Sequence, residues 1–351
     1  MPTIAIAGAS GKLGGATLSA LLAHNLVPAS SIVALTSSHP GSSTFTTLAA
    51  TAPGLQVRHA SFEDPASFER ALQGVDRFFL VSTPHIQLDF DRLVVQGGGK
   101  EGEEKKKWEE VPDGQGRERH HRVAIDAAVR AGVKDVYYSS LAFAYDPQSK
   151  SATNKSKAGV MRAHLRTEAY LARLRDEGRL DNATVIREGL YAESWPLYLG
   201  YFAGDGDDER REVPLAGDGK ISWTAIGDLG VANAVVLAAP EGEGEGEFKN
   251  RLFYLSTRAR TAKSIAEVAG LVGAARGRDV RVRVVGREEH VRYYVEERGM
   301  DEAAVRWWVS TYEALEEGEC EVDDGMLEEL LGRVGAKPEG VEEVIRRMVK
   351  G

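Results

Sequence analysis

The 351-residue sequence predicts an α/β fold: a doubly wound parallel sheet with a smaller, mostly helical C-terminal lobe. Three observations lead there. Short apolar runs alternate with helix-period segments through the first two-thirds of the chain, and right-handed crossovers turn such alternation into a parallel sheet covered on both faces. The first run is joined to the first helical segment by closely spaced glycines at 8, 11 and 14. Beyond residue 260 the pattern becomes mainly helical. With 42% hydrophobic residues the chain has material for one large core and an appended lobe.

Taken in order, residues 3–7 form an apolar strand and 13–23 carry helical periodicity. Residues 31–36 and 55–59 read as the second and third strands, 65–72 as a short helix with proline in its first turn, and 76–82 as the fourth strand. A helix over 121–131 ends at Gly132 and is followed by a strand over 135–139, a helix over 160–175 and a strand over 183–186. The helix 225–239 and strand 252–255 return to the sheet. A nucleotide-binding unit, 1–188, is therefore interleaved around 225–256 with a lobe formed by 189–351. In the lobe, 261–272 begins with a hydroxyl cap at Thr261, 279–285 alternates as a strand, and 288–297, 303–316, 326–331 and 341–349 are helical. Two glycine-rich, charged stretches, 96–118 and 241–247, break the rhythm and read as solvated, mobile loop insertions.

A formal charge of -9 lacks the basic footprint of a nucleic-acid binder, and an anionic membrane surface would repel it. No apolar run approaches the roughly 20 residues of a membrane helix. The N-terminus has no cationic segment and its apolar run is broken by glycines, which argues against a signal peptide. The one cysteine, Cys320, has no internal disulfide partner, and Glu319 and Glu321 beside it mark a structural thiol. The expectation is a cytoplasmic protein, monomeric or homodimeric. The eight histidines form no metal-binding spacing, and His120 and His121 are expected on different faces of their helix.

The loop IAIAGASGKLGG, residues 4–15, has the strand–glycine–helix context that gives such a motif meaning. Gly8 permits the tight turn, Gly11 the close approach of a pyrophosphate, and Gly14 the packing of helix on strand, while the helix N-terminus offers free N–H groups. Lys12 is followed by Leu13, so this is no P-loop. The loop predicts a Rossmann-type dinucleotide site. After the second strand stand Thr36, Ser37, Ser38 and His39, with no carboxylate to bind ribose hydroxyls and repel a 2′-phosphate. With Lys12 nearby, this favours NADPH, and NADH remains the other option.

The loop GASGKLGG, the segment AIDAAVRAGVKDVYYSS, HLRTEAYL with IREGLYAESW, and GDGKISWTAIGDL occur in the order found in the NmrA-like family of atypical short-chain dehydrogenase/reductases. Within it the chain resembles the NAD(P)H:quinone oxidoreductase type 2 and triphenylmethane reductase branch. The resemblance implies a Rossmann sheet, a substrate lobe, a cleft between them, and reduced nicotinamide without flavin or metal. It would put Gly8, Ser10, Gly11, Lys12, Leu13 and Gly14 around the pyrophosphate, and Thr36, Ser37 and Ser38 at the adenosine ribose. Ser61 and Phe62 would lie by the adenine, with Ser82, Thr83 and Pro84 beneath the second ribose. Ser139, at a strand end, joins the cofactor set. Relatives often carry arginine near Ser37, Asp where Ser61 stands and Asn where Ser194 stands, so this chain departs from the pattern.

No tyrosine has a lysine four residues on; the nearest pair is Tyr145 with Lys150. His164 matches a Lys or His of the relatives that reaches the nicotinamide ribose, and it is the first catalytic candidate, to bond the ribose or protonate a reduced oxygen. Tyr145 is the alternative proton donor and a substrate contact. Tyr191, Glu193 and Trp195, with Tyr198, Tyr201 and Phe202 beyond, form a substrate-binding candidate, a flat aromatic wall for a quinone or aromatic polyketide ring. More plainly, Arg187 and Glu193 pair, Thr224 caps the next helix, and Trp307 and Trp308 pack the lobe. The leading expectation is an NAD(P)H-dependent reductase of a quinone-like or aromatic conjugated carbonyl, such as a polyketide tailoring step. Two others stay open: an NAD(P)-sensing regulator that binds a protein partner, and an isomerase or ring-opening enzyme using bound cofactor.

Overall fold

The structure, a computed structural model, describes residues 1–97, 104–201, 208–240 and 246–350. Its centre is a seven-stranded sheet of β1 (Ile4–Ile6), β2 (Ile32–Thr36), β3 (Gln56–His59), β4 (Arg77–Val81), β5 (Asp135–Leu141), β6 (Asn182–Glu188) and β7 (Leu252–Leu255). Every pairing is parallel and the spatial order is β3-β2-β1-β4-β5-β6-β7. The predicted α/β class and doubly wound parallel sheet are therefore present. Strands β1 and β2 are buried at every residue, as a sheet covered on both faces requires.

The helices are α1 (Lys12–Ala23), α2 (Ser43–Ala49), α3 (Pro65–Ala71), α4 (Arg117–Arg130), α5 (Met161–Asp176), α6 (Ile226–Ala238), α7 (Ile265–Arg276), α8 (Glu302–Glu316), α9 (Met326–Arg333) and α10 (Val341–Lys350). One face of the sheet is covered by α1, α6 and α9 through Leu13, Leu21, Leu229, Leu237 and Leu330. The other is covered by α3, α4 and α5 through Phe68, Ile125 and Leu171. A third core, with Trp195, Trp223 and Tyr312 at its heart, fills the lobe and reaches Phe143 and Met161 at the sheet's edge.

Two devices fix α6. Arg77, buried in β4, donates from Nη1 to the carbonyls of Leu237 and Ala239, 2.7 Å each, at the negative end of the helix. Gly230 lies so close to α1 that a Cβ there would come within 2.6 Å of the Ala16 backbone.

Several expectations change. Part of the charged stretch 96–118 is ordered: Arg92–Gly97 pairs antiparallel with Glu104–Glu109, and α4 begins at Arg117 instead of residue 121. The ribbon's described side chains keep polar groups on both faces, and Leu93 and Val95 are exposed, so no apolar alternation advertised it. Residues 241–245 of the acidic stretch lie outside the described residues. Helix α7 is capped by Ser264 in a capping box with Glu267, not by Thr261. The strand Arg281–Val284 pairs in parallel with Glu212–Leu215, a partner the sequence did not announce. The segment 288–297 divides into a helix, Arg287–Arg292, and a π-helical turn, Tyr293–Glu297.

Gly230→Ala is expected to cost about 1–3 kcal/mol by overpacking α6 on α1, lowering the thermal midpoint by several degrees. Gly227→Ala, on the same helix with open space around it, is expected to leave the midpoint unchanged or raise it. Equal midpoints for the two variants would show that the close approach is not a constraint.

Candidate active site

The strand order reverses between β1 and β4, and a cleft opens at the carboxyl ends of these strands, where open α/β sheets bind ligands. It has two compartments that share Val81, Ser82, Pro84 and Tyr191.

The larger compartment, about 500 Å³, is lined by Gly8, Ser10, Gly11, Lys12, Leu13 and Gly14 on one side. Gly8 has φ +64, the left-handed region that favours glycine. A Cβ on Gly14 would collide with the Gly8 carbonyl, and one on Gly11 would sit 3.1 Å from it. Helix α1 is preceded by Gly11, which offers no side-chain cap, so its first-turn N–H groups are left for the cleft. This side-chain-free cradle at a helix N-terminus fits a dinucleotide pyrophosphate.

Ser37, just past β2, also lines the compartment, as does Lys12. Thr36 and Ser38 stand behind this wall: Thr36 Oγ1 lies 3.1 Å from Ser10 Oγ and accepts from the Ser38 N–H at 3.2 Å. His59 Nδ1 donates to the Ser38 carbonyl at 3.2 Å, and its ring stacks on His39 at 4.4 Å. Ser61, Phe62, Glu63 and His85 complete the lining. Phe62 is stacked on His120, 3° from parallel.

The smaller compartment, about 260 Å³, has a polar floor of Ser82, Thr83, Ser139, Ser140, Arg117 and His164. Its walls are Ile86, Leu141, Val160, Leu190, Leu197, Tyr198 and Trp308. Beneath the floor runs a buried network whose protons follow from its partners. Thr167 donates to the Ala163 carbonyl at 2.7 Å, so its oxygen accepts from His121 Nδ1 at 2.8 Å. His121 Nε2 then accepts from the Thr83 N–H and from Ser82 Oγ at 3.0 Å. His164 Nε2 faces Arg117 Nη1, a donor only, at 3.4 Å, so its proton is on Nδ1 and goes to Tyr138 Oη at 2.9 Å. Burial first, and then the Arg117 charge, hold both imidazoles well below the usual histidine range, so they are neutral. Burial likewise pushes the Tyr138 phenol up.

Arg117 is itself locked. Its Nε meets Asp89 at 2.5 Å, its Nη2 donates to the Val160 carbonyl at 2.8 Å, and its backbone N–H donates to Asp89 Oδ1 at 2.7 Å. The preceding Gly116 has φ +65, and the Asp89 carboxylate occupies the place its Cβ would take. Both partners are buried, so removing one alone is expected to cost about 3–5 kcal/mol.

A family model described as NAD(P)H-binding matches residues 8–208. The NmrA-like family domain-containing oxidoreductase flvB of Aspergillus flavus is 30% identical over 331 residues, covering 93% of this chain and 90% of that protein. The chain belongs to the NmrA-like NAD(P)H-binding family. Quinone oxidoreductase 2 of Escherichia coli is 32% identical over 248 residues, 69% of this chain and 66% of that protein. The crystal structure of the NADPH-dependent quinone oxidoreductase QOR2 from Escherichia coli complexed with NADPH shares the fold, with TM-score 0.71 at 24% identity over 98% of this chain and 99% of that one. With these relatives, this NmrA-like chain is an NAD(P)H-dependent oxidoreductase.

In this NmrA-like chain the remaining candidates scatter. Tyr145 is buried edge-on to Tyr254 at 5.5 Å, its oxygen accepts from the Asp323 N–H at 3.3 Å, and it does not line the cleft. Glu193 accepts from the Ile226 N–H at 3.1 Å and so caps α6, the role expected of Thr224, whose hydroxyl instead accepts from the Thr257 N–H. Arg187 pairs with Glu168 at 2.7 Å, not with Glu193. Trp195 is fully buried in the lobe core. Of the proposed aromatic wall, Tyr191 and Tyr198 reach the cleft, Tyr201 is exposed, and Phe202 lies outside the described residues. Trp307 packs on Phe90 at 5.2 Å as expected, but Trp308 faces the smaller compartment. His120 and His121 both turn to the end of β4, where Thr83 Oγ1 meets His120 Nδ1 at 3.2 Å. Sequence reasoning missed Arg117, Asp89 and this histidine pair as parts of the site.

Behind Ser139, Glu188 is buried and accepts from Asn233 Nδ2 at 2.9 Å. Burial pushes its carboxyl up to about 8 from the ordinary 4.5. A carboxyl whose folded value is raised holds its proton better in the native state. Its contribution is therefore complete below pH 4.5 and is lost as pH rises toward about 8. Stability is expected to fall across this window by up to about 1.4 kcal/mol per pH unit, and Glu188→Gln is expected to flatten the dependence when unfolding is followed in denaturant at several pH values. An unchanged slope in the variant would assign the dependence to another group.

Proposed function

We propose that this NmrA-like oxidoreductase uses NADPH to reduce a quinone-like or conjugated aromatic carbonyl. The observation that carries the reading is the junction of the two compartments at Ser82, Pro84 and Tyr191, which puts a dinucleotide cradle end to end with an apolar chamber that has a polar floor. The similarity to a quinone oxidoreductase over 69% of the chain supports the same class of acceptor. Ser82, Pro84 and Tyr191, shared by the two compartments, would lie beside a bound nicotinamide, whose chemistry there would be hydride donation.

The chain's own residues hold and shield the acceptor. Leu197, Tyr198 and Trp308 give an apolar wall, with Tyr198 and Trp308 packed edge to face at 5.4 Å, against which an aromatic ring can rest. Ser82, Ser139 and His164 place polar atoms beneath it. Catalysis in such a site rests on positioning. The preference for NADPH is supported by Lys12 and Ser37 at the adenosine end and by the lack of a carboxylate after β2.

Purified protein is expected to oxidise NADPH in the presence of quinones, followed by loss of reduced-cofactor absorbance. No turnover with any quinone or enone, together with equal tight binding of oxidised and reduced cofactor, would favour a sensor of dinucleotide state. His164→Ala is expected to lower kcat by roughly 10²-fold with little change in NADPH affinity; unchanged kcat would reduce His164 to packing. Lys12→Ala is expected to weaken NADPH by about fivefold, as for an exposed ion pair of about 1 kcal/mol, and to leave NADH unaffected. Equal losses for both cofactors would place Lys12 away from the 2′-phosphate.

A further inference from the structure

Among the residues lining the smaller compartment, Arg117 is the one permanent cation. Its Nε and Nη2 are committed to Asp89 and the Val160 carbonyl. Its Nη1 has two long contacts, 3.5 Å to Ser82 Oγ and 3.4 Å to His164 Nε2. A stronger acceptor entering the chamber takes over such a donor at little cost. His164 presents a lone pair to this side, because its proton is committed to Tyr138, so it holds the guanidinium and has no proton to give there. Asp89 binds Nε and the backbone N–H, and Nη1 is left toward the chamber, so the ion pair acts as a fixed dipole with its positive end on the acceptor.

We propose that Arg117 is the catalytic residue that takes up the negative charge of the reduced acceptor, donating from Nη1 to the carbonyl oxygen as that oxygen becomes anionic, and that His164 is the positioning residue that orients it. This rests on the reductase reading above. The acceptor gains two electrons and one hydrogen as a hydride from the reduced nicotinamide, which is thereby oxidised. The hydride forms a C–H bond at the ring or chain carbon conjugated to the carbonyl, the C=C π pair shifts to the carbonyl carbon and the carbonyl π pair moves onto oxygen. This gives an enolate, which for a quinone becomes the hydroquinonate when its other carbonyl enolises. One proton from water completes the neutral product, and Arg117 keeps all its protons. The substrate class follows: uncharged or carboxylate-bearing quinones and enones. A cationic acceptor, whose charge disappears as hydride arrives, gains nothing from Arg117 and is repelled on entry.

The test uses the full chain loaded with NADP⁺ and para-nitrophenol as a stand-in for the anionic product, read by the phenolate absorbance. Wild type is expected to lower the pKa of the bound phenol by about one unit, as an opposite charge in hydrogen-bond contact does. Turnover of a neutral naphthoquinone and of a cationic triarylmethane dye is measured alongside. Arg117→Gln combined with Asp89→Asn removes the buried pair as a unit. It is expected to bind NADPH as wild type does, to lose the phenolate shift and to lose about 10²-fold in kcat for the quinone, without loss for the dye. Arg117→Lys, which keeps the charge, is expected to restore part of the shift even where the double variant does not fold. The proposal is overturned if wild type shows no shift, if the shift survives in the double variant, or if quinone and dye rates fall together. A phenolate shift without turnover of any acceptor would overturn the reductase reading and leave the anion site standing. Quinone turnover without the shift would overturn only the role of Arg117.

Discussion

The N-terminus of α1 rests on the turn leaving β1 with no side chain between them. Gly14 leaves the Gly8 carbonyl nothing to collide with, and Gly230 lets α6 lie directly on α1 at Ala16. These contacts allow no slack, because each is already closer than a Cβ tolerates. They place the first-turn N–H groups of α1 at the point where the strand order reverses, and dinucleotide binding requires just that placement. Residues far along the chain support the arrangement. Helix α9 closes the same core through Leu327, Leu330 and Leu331, and Arg77 clamps the far end of α6.

The chemistry end is built on a different principle. The glycine cradle is formed by leaving side chains out, whereas the smaller compartment has a polar floor in which both histidine protons have a partner. His121 and His164 are neutral there, and each is oriented by a hydroxyl: Thr167 for the first, Tyr138 for the second. A buried hydrogen-bonded network of this kind is rigid, and it leaves one guanidinium nitrogen with long contacts only.

The fold was legible because its signals are local. Apolar strands, helix periods and the glycine loop each lie within a dozen residues, and the sheet follows from them through the handedness of crossovers. The family resemblance pointed to Ser82, Pro84, Ser61, Phe62 and Ser37, and all five line the larger compartment. Arg117 was not legible, since its partner Asp89 lies 28 residues away across a polar ribbon that carries no apolar alternation. Glu193, Trp195 and Tyr145 fell in the right segments, but which way a side chain points past a strand end depends on the partner awaiting it. For these three the partners are a helix N-terminus, a core and a backbone N–H. Trp308 is the converse: adjacent to a tryptophan that packs the lobe, it is turned by its helical position into the chamber.

The carboxylate of Asp89 marks both the departure and the return of the chain around the ribbon. The excursion between Asp89 and Arg117, which stand 28 positions apart, begins at this group and is tied off on it by the Arg117 N–H and guanidinium. Closure is thus achieved at the base, and the entropic cost of a longer excursion grows only logarithmically with its length. Insertions and deletions beyond the knot can accumulate without displacing the guanidinium. The ribbon is therefore a place where related chains can diverge in length and acquire new surfaces while the chemistry beneath stays fixed.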